Sequence, residues 1–264
     1  MLSIIIPILN ESDAIEQTIT SLLENLSGGI ETEVLLVDGG SGDGTIEKVQ
    51  YLVSKLMDYE NSVSVRLLHS KKGRAKQMNF GARNAKFEIL YFLHADSFPP
   101  KNFDTYILKE VGNGNPAGCF RMKFDSKHWW LQLAGWLTQF NWKMARGGDQ
   151  SQFITKSLFE EIGGFDESYI IYEDNILISE LYKRKKFVVI PHSLTTSARR
   201  YREHGVWRLQ YHFWRIHLMR RMGADARELY GYYSKHIGSK NWRGFREKSQ
   251  GLSQGKDLTG LKDL

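Results

Sequence analysis

The chain has 264 residues and very little cysteine, since Cys119 is the only one. A single cysteine excludes any disulfide within the chain and fits a reducing compartment, so we interpret Cys119 as a buried apolar residue. The N-terminus has neither the basic segment nor the small-residue cleavage site of a signal peptide. These features predict a protein that stays in the cytoplasm.

Long apolar runs are also missing. Residues 129–142 carry no Asp, Glu, Lys or Arg over 14 positions, whereas crossing the hydrocarbon of a bilayer takes about 20 apolar residues. We therefore expect no membrane-spanning segment. Apolar residues at 41% and charged residues at 25% are ordinary globular values, which excludes wholesale disorder.

Positive charge is concentrated in one part of the chain. The formal net charge is +6, and the segment 199–227 alone accounts for it, with two acids against eight arginines. Any anionic partner is therefore expected near this segment. The arginines are Arg199, Arg200, Arg202, Arg208, Arg215, Arg220, Arg221 and Arg227.

Strand and helix patterns alternate through the first half of the chain. A β-branched run at 2–8 precedes a helix with Ile15, Ile19 and Leu22 on one face, for which Asn10, Ser12 or Asp13 is a candidate cap. Similar patterns predict strands at 33–37, 63–68 and 88–93 and helices at 46–56 and 75–84. This alternation predicts an α/β fold with a mostly parallel sheet and ligands at the strand C-terminal ends.

The second half is less regular. Its patterns predict strands at 117–124 and 187–190 and helices at 129–144, 156–162, 174–185 and 206–222. From Gly238 onward glycine, serine and lysine dominate, which is typical of a loosely ordered tail. We expect a catalytic domain at 1–200, a helical extension at 201–237 and a flexible tail at 238–264.

A glycine-rich loop at 37–45 leaves a buried strand and enters a helix. Its glycines permit close approach of a ligand, and Asp38 at the strand end can accept hydrogen bonds from a ribose or base. The same residues would also suit a tight, capped turn. The loop does not fit the dinucleotide-binding pattern G-x-G-x-x-G.

Two acidic motifs are candidates for chemistry. Asp96 follows a strand in His94-Ala95-Asp96, and one carboxylate with phosphate oxygens and water suits Mg²⁺ or Mn²⁺. Residues two apart on an extended segment point the same way, so His94 and Asp96 are expected to face one ligand together. Alternatively, Asp96 caps a turn while His94 packs. Glu173 and Asp174 begin a predicted helix, where one can act as a general base or both can simply interact with the helix dipole.

Together these motifs resemble the family 2 glycosyltransferases, whose nucleotide-sugar-binding fold is commonly called GT-A. The matching segments are 3–7 with Asn10 and Glu11, 37–41 with 43–45, 94–96, 163–166 and 173–174. A bacterial subgroup is similar in further motifs at 73–75, 77–79, 148–150 and 197–200. The resemblance covers residues 1 to about 233.

The sequence departs from the family pattern at two positions. Many members carry a second aspartate directly after the first, and Gly39 stands there in this chain. The usual Asp-x-Asp metal motif is reduced to His94-Ala95-Asp96, which leaves Asp96 as the one carboxylate expected to bind the cation.

The resemblance implies an inverting enzyme that transfers a sugar from a nucleotide-diphosphate donor to an acceptor hydroxyl. Asp96 would bind the Mg²⁺ or Mn²⁺ that bridges the two phosphates, and Asp174, with Glu173 as substitute, would be the general base. Residues expected to contact the donor are Pro7, Asn10, Glu11, Asp38, Gly39, Arg74, Gln77, His94, Asp149, Gln150, Arg199 and Arg200.

Other hypotheses remain open. A nucleotidyltransferase of related architecture would release pyrophosphate, and a module that binds membranes or nucleic acid would use the aromatic, arginine-rich helix 206–222. Its apolar residues recur at helical spacing, which is more typical of a core-facing stripe. They are Trp207, Tyr211, Trp214, Leu218 and Met222.

We expect no nucleic-acid partner. The same helix, together with 129–144, is instead expected to attach the enzyme to the inner face of the cytoplasmic membrane, where a lipid-linked acceptor would be available. The opposing hypothesis is that these aromatic residues pack on the catalytic domain.

Overall fold

A computed structural model of the chain describes residues 1–56, 63–147 and 150–238. The chain divides into two compact units between Ala198 and Arg199, and each is described by itself. The predicted domain limits at 200 and 237 stay predictions. The tail predicted at 238–264 lies, beyond Gly238, outside the described residues.

The first unit alternates strands and helices along the chain. The strands are β1 Leu2–Ile8, β2 Thr32–Asp38, β3 Val63–His69, β4 Ile89–Phe92, β5 Ser97–Phe98, β6 Ala117–Phe124, β7 Gln152–Thr155 and β8 Val188–Thr196. The helices are α1 Ile15–Glu24, α2 Thr45–Leu56, α3 Arg74–Asn84, α4 Phe103–Gly112, α5 Trp129–Leu137, α6 Lys156–Ile162 and α7 Glu173–Lys183.

All eight strands form one sheet in the order β3-β2-β1-β4-β7-β6-β8-β5. The four strands from β3 to β4 are parallel, as are β6 and β8. β7 is antiparallel to both of its neighbours, and β5 is antiparallel to β8. The predicted α/β class with a mostly parallel sheet is therefore confirmed, with β7 inside the sheet and β5 at its edge as the antiparallel strands.

Both faces of the sheet are covered, because alternate residues of β1 enter two different cores. Ile4 and Ile6 pack with apolar residues of α1, α2 and α4, whereas Ile5 packs against α3, α6 and α7. Fully burying one such side chain contributes about 2 kcal/mol. The parallel strands thus end together at one edge, beneath the N-termini of the helices that follow.

The helix predicted at 129–144 is wrong in its length. α5 ends at Leu137, and a short 3-10 turn follows only at Lys143–Ala145. The hydroxyl of Thr138 donates to the Gly135 carbonyl and accepts the Met122 amide of β6, at 2.6 and 2.8 Å. These contacts fix the chain at Thr138 and turn it away from the helix axis.

Up to Gly238, the last residue described, the second unit contains three helices, α8 Arg199–His204, α9 Val206–Arg221 and α10 Ala226–His236. α10 begins with a capping box in which the side chains of Asp225 and Glu228 each accept the other's backbone amide. Nδ1 of His212 on α9 lies 2.8 Å from the Tyr232 hydroxyl on α10. The unit's buried apolar residues include Leu209, Ile216 and Leu229.

The core-facing interpretation of the α9 stripe is wrong for this structure. All five residues are exposed, at 47 to 79% of their surface. Through the part of the chain that the structure describes, no helix combines the length and apolar character needed to cross a bilayer.

Gly81 lets α3 approach the sheet closely. A Cβ added there would lie 2.5 Å from Cγ2 of Ile5, a distance that forces β1 or α3 to shift. We expect Gly81→Ala to lower the free energy of unfolding by about 1–3 kcal/mol, since overpacking outweighs the gain in helix propensity.

Gly231→Ala on α10 is the matched control, because an added Cβ meets nothing within 4 Å there. This change should raise stability by up to about 1 kcal/mol. Urea unfolding of both variants checks the pair, and equal stabilisation by both would contradict the close approach of α3 to β1.

Candidate active site

The loops after β1 and β2 are joined by hydrogen bonds at the strand C-terminal edge. Asn10 has a left-handed backbone, with φ of 56°. Its amide donates to the Ser41 hydroxyl, and its side-chain oxygen accepts the Gly42 amide, both at 2.9 Å. Asn10 thus shapes the glycine-rich loop, and the predicted cap of α1 is wrong, since Ala14 precedes that helix without a side-chain cap.

Asp43 extends this connection between the loops. Its carboxylate accepts the amides of Ser12 and Thr45 and the Thr45 hydroxyl. Asp43 is exposed, and although some desolvation opposes ionisation, these hydrogen bonds prevail and lower the pKa of Asp43 to about 2. The Glu11 amide donates to the same Thr45 hydroxyl at 2.9 Å. The two loops therefore form one firm surface at the edge of the sheet.

Asp38 accepts hydrogen bonds from its own loop. Its carboxylate is bonded to the amides of Gly40 at 2.7 Å and Ser41 at 3.1 Å, and its side chain is only 2% exposed. These contacts match the capped-turn alternative. Each carboxylate oxygen has two lone pairs, so acceptor capacity remains for a ligand. The donor contact of Asp38 stays a prediction.

Gln77 on α3 gives a physical reason for the glycine at position 39. Its amide nitrogen donates to the carbonyls of Ile8 and Val37 at 2.8 and 2.7 Å, which ties the ends of β1 and β2 together. A Cβ on Gly39 would lie 2.9 Å from the Gln77 amide group. Gln77 therefore occupies the space that a side chain at 39 would need.

The motif His94-Ala95-Asp96 is a turn rather than an extended segment. β4 ends at Phe92, and the Ser97 amide donates to the His94 carbonyl at 3.1 Å. His94 and Asp96 therefore do not belong to an extended segment, and the predicted strand alternation that would point them the same way is wrong. The Asp96 carbonyl accepts the Ser197 amide at 3.1 Å, which fixes the backbone of the turn.

Arg74 joins three of the predicted site residues. Its Nε donates to Glu173, its Nη2 lies 3.3 Å from the Asp174 carboxylate, and its Nη1 lies 3.4 Å from Nδ1 of His94. These contacts bring together the first turn of α3, the first turn of α7 and the loop after β4. Neither residue spacing nor periodicity predicts this grouping.

Glu173 and Asp174 differ in environment although they are neighbours. Glu173 is fully buried, and Asp174 is 6% exposed. Burial raises the pKa of Glu173, Arg74 opposes the rise, and the charge of Asp174 adds to it. Oε2 of Glu173 has no hydrogen-bond partner within the described ranges. Glu173 thus holds Arg74, while Asp174 retains some access to solvent.

The remaining predicted donor residues lie in varied places. Pro7 is opposite Val37 in the sheet register. Arg199 and Arg200 belong to the second unit, where Arg200 donates to the Tyr233 hydroxyl at 2.7 Å. Their phosphate contacts stay predictions, and Asp149 lies outside the described residues.

Arg146, a buried arginine outside the predicted site residues, holds Gln150. Nη1 of Arg146 donates to Gln150 Oε1 at 3.1 Å, and Nη2 donates to the carbonyls of Thr138 and Phe140. Cys119 is buried as expected, but its thiol donates to Gln150 at 3.4 Å. Burial raises the pKa of this thiol to about 11, with Arg146 opposing the rise.

Asp96 supplies a single carboxylate at the end of the turn after β4. Among the described residues no cluster of three or more His, Cys, Asp or Glu side chains could hold a metal ion alone. Asp96 itself is half-buried after β4. One carboxylate suits a hard cation whose other positions are taken by phosphate oxygens and water.

Residues 3–166 match the family model described as Glycosyl transferase family 2. This match covers more than half of the sequence. The chain belongs to that family.

Curated relatives are longer than this chain. It is 26% identical over 196 residues to the probable glycosyltransferase YdaM of Bacillus subtilis, covering 68% of this chain and 46% of that protein. It is 29% identical over 113 residues to dolichol-phosphate mannosyltransferase of Pyrococcus furiosus, covering 43% of this chain and 30% of that protein. The chain therefore spans less than half the length of these relatives.

Solved structures confirm the GT-A fold of this family member. Residues 1–349 of S. aureus TarS in complex with UDP match with a TM-score of 0.61 and 16% identity, over 97% of this chain and 75% of that chain. The mannosyltransferase PcManGT from Pyrobaculum calidifontis, in complex with GDP-Man and Mn²⁺, matches with a TM-score of 0.60 and 17% identity, over 97% of this chain and 81% of that chain.

The Arg74 and Glu173 pair generates a pH prediction. The pKa of Glu173 is raised in the folded state. The contribution of Glu173 to stability is therefore fully present below the ordinary pKa of a carboxyl group and is lost as pH rises through the raised pKa of the folded state. Arg74→Met removes the opposing cation and raises that pKa further. We expect stability to fall more steeply with rising pH in this variant.

Urea unfolding between mildly acidic and neutral pH measures the effect. The double variant Arg74→Met with Glu173→Gln is the control, and it should lose most of the added pH dependence because the buried carboxyl is gone. If the free energy of unfolding falls equally steeply with pH in wild type and in Arg74→Met, Glu173 does not depend on Arg74 for its charge.

Proposed function

We propose that this chain is an inverting glycosyltransferase that moves a sugar from a nucleotide-diphosphate donor to an acceptor hydroxyl. The observation that carries the proposal is the convergence of Arg74, His94, Glu173 and Asp174 beside the joined loops at the strand C-terminal edge. Membership of family 2 supports it. The mannosyltransferase with GDP-Man and Mn²⁺ gives a precedent for such a donor on this fold.

The donor side of the site is built from the β1 and β2 loops. Pro7, Asn10, Glu11 and Asp38 line the proposed nucleoside pocket, and Arg74 faces the phosphates with its delocalised charge. Asp96 would hold a Mg²⁺ or Mn²⁺ ion, which supplies positive charge where the departing diphosphate becomes more negative.

Asp174 is the proposed general base, and Glu173 is a positioning residue. Glu173 is completely buried against Arg74, whereas Asp174 keeps some exposure and a longer contact with the same guanidinium. Asp174 takes the proton of the acceptor hydroxyl as the hydroxyl oxygen attacks the anomeric carbon. Attack opposite the departing diphosphate forms one bond while the other breaks, which inverts the anomeric configuration.

Two exposed aromatic surfaces support a place at a membrane. Trp129, Leu133 and Trp136 lie on one face of α5 and are 61, 38 and 57% exposed. The stripe on α9, formed by Trp207, Tyr211, Trp214, Leu218 and Met222, is exposed to a similar degree. Tryptophan at a polar boundary is typical of membrane interfaces.

The charges on α9 favour an anionic lipid surface. The helix carries four arginines and no acid. A rotation of about 100° per residue places Arg208 and Arg215 along one edge of the stripe and Arg221 along the other. We propose attachment to the inner face of the cytoplasmic membrane and a lipid-linked acceptor used for envelope glycan.

A thermal-shift panel of UDP, GDP, dTDP and CDP sugars with Mn²⁺ tests the proposal, since binding to the folded state raises stability. We expect one nucleotide class to raise the melting temperature, and Asp96→Ala to lose the Mn²⁺-dependent part of the shift. Release of pyrophosphate in place of a nucleoside diphosphate would identify a nucleotidyltransferase. Salt-sensitive oligonucleotide binding without any sugar-nucleotide shift would favour a nucleic-acid module.

We predict that Asp174→Asn lowers kcat by about a hundredfold or more while donor affinity stays nearly constant, the scale expected for losing a general base. Glu173→Gln is the matched comparison, and it should weaken donor binding as well, because Arg74 loses its buried partner. Steady-state kinetics with donor affinity measured separately distinguish the two. A larger effect of Asp174→Asn on affinity than on rate would make Asp174 a binding residue.

We predict that Trp214→Ala and Arg215→Glu each weaken binding to vesicles containing phosphatidylserine, and that high salt does the same. Each basic residue near such a surface contributes about 1 kcal/mol. Lys109→Glu on α4 makes the same charge change on an exposed residue of the first unit that does not belong to the stripe and should leave binding almost unaltered. Absence of co-sedimentation at low salt would refute attachment.

A further inference from the structure

Three buried polar atoms near the proposed site have no hydrogen-bond partner within the described residues. They are Nε2 and Oε1 of Gln152 and Oε2 of Glu173. Gln152 is 5% exposed and Glu173 is fully buried, so solvent does little to compensate either group. A buried amide with both ends unbonded destabilises a fold, and its presence needs a physical reason.

The sheet register places Gln152 at the edge where the site is formed. Gln152 begins β7 directly opposite Phe92, the last residue of β4, and His94 follows two positions later. Opposed residues in an antiparallel pair share a face of the sheet. Phe92 and Ile154 pack in the core layer that includes Leu177 of α7, so Gln152 lies on the α7 side.

Glu173 lies on the same face of the sheet, because it belongs to the helix that covers that face. It precedes Leu177 by four residues, which puts both on one face of α7. Gln152 therefore lies on the face of the sheet that α7 covers, beside the end of β4 that leads into the turn with Asp96. In the proposed reaction the anomeric carbon lies between the diphosphate at Asp96 and the base Asp174, which brings the sugar ring to this face.

We propose that Gln152 hydrogen-bonds the transferred sugar and contributes to the choice of donor sugar. Its Nε2 group donates to the oxygen of one sugar hydroxyl, and its Oε1 accepts from the adjacent hydroxyl of the same ring. A planar amide offers a donor and an acceptor side by side, which matches two adjacent hydroxyl groups. This inference rests on the proposed glycosyl transfer and adds a sugar contact to it.

Gln150 provides a matched control two positions earlier. It is also buried, at 1% exposure, but its Oε1 accepts from Arg146 and its Nε2 donates to the Ala145 carbonyl at 3.0 Å. The structure thus contains one satisfied and one unsatisfied glutamine near the start of the same strand. Replacing each by methionine keeps the length of the side chain and removes its hydrogen bonds.

The experiment compares Gln152→Met and Gln150→Met with wild type in two measurements. The first is the melting temperature without ligand, which should fall in Gln150→Met and hold or rise in Gln152→Met. The second is calorimetric affinity for the nucleotide sugar selected by the thermal-shift panel and for its nucleoside diphosphate. Gln152→Met should bind the nucleotide sugar about tenfold more weakly and the nucleoside diphosphate within about twofold of wild type.

Four outcomes would overturn this inference. A lower melting temperature for Gln152→Met would make Gln152 a structural residue, and so would equal weakening of both ligands. Unchanged affinity for the nucleotide sugar would remove Gln152 from the donor site while leaving the proposed function intact. If wild type binds no nucleotide sugar in the panel, the proposed function fails and the sugar contact with it.

Discussion

The contact between the half-buried Arg74 and the fully buried Glu173 holds the candidate site together. A carboxylate without solvent remains charged only beside a cation, and Arg74 provides that cation from the first turn of a different helix. The same guanidinium reaches Asp174 and His94. A shift of either helix would therefore separate the charged groups, so the position of the proposed base depends on a contact made by its neighbour.

Periodicity predicts the first half of the fold because those elements are local. The expected strand at 2–8 matches Leu2–Ile8, and the helix expected at 75–84 begins one residue earlier, at Arg74. The parallel order of the first strands follows from alternation, which places the motif residues at one edge. What the motifs do there depends on partners that are distant in the sequence.

Such partners explain what the sequence could not predict. Gln77 fills the space above Gly39 across 38 positions of sequence, and Thr138 ends α5 by bonding to β6. Neither contact leaves a periodic signal. The short strand β7 was not predicted either, because its four residues carry no alternation long enough to recognise. The α9 stripe has core-like spacing, but spacing alone does not say whether another element covers it.

Two buried glutamates show how differently the two edges of the sheet are built. Glu33, near the start of β2, is fully buried, and its carboxylate accepts the Ser3 hydroxyl at 2.6 Å, the Lys86 amide and Arg66. Both of its oxygens are bonded. Glu173, equally buried at the opposite edge, has one oxygen left over, and Gln152 nearby has two unbonded atoms. Native folds rarely leave buried polar groups unbonded. Gln152 and Glu173 account for three of the four buried side-chain atoms that are unbonded among the described residues, the fourth being Nε of Arg121 on β6. This is the arrangement expected of a surface whose remaining hydrogen bonds are supplied by a ligand.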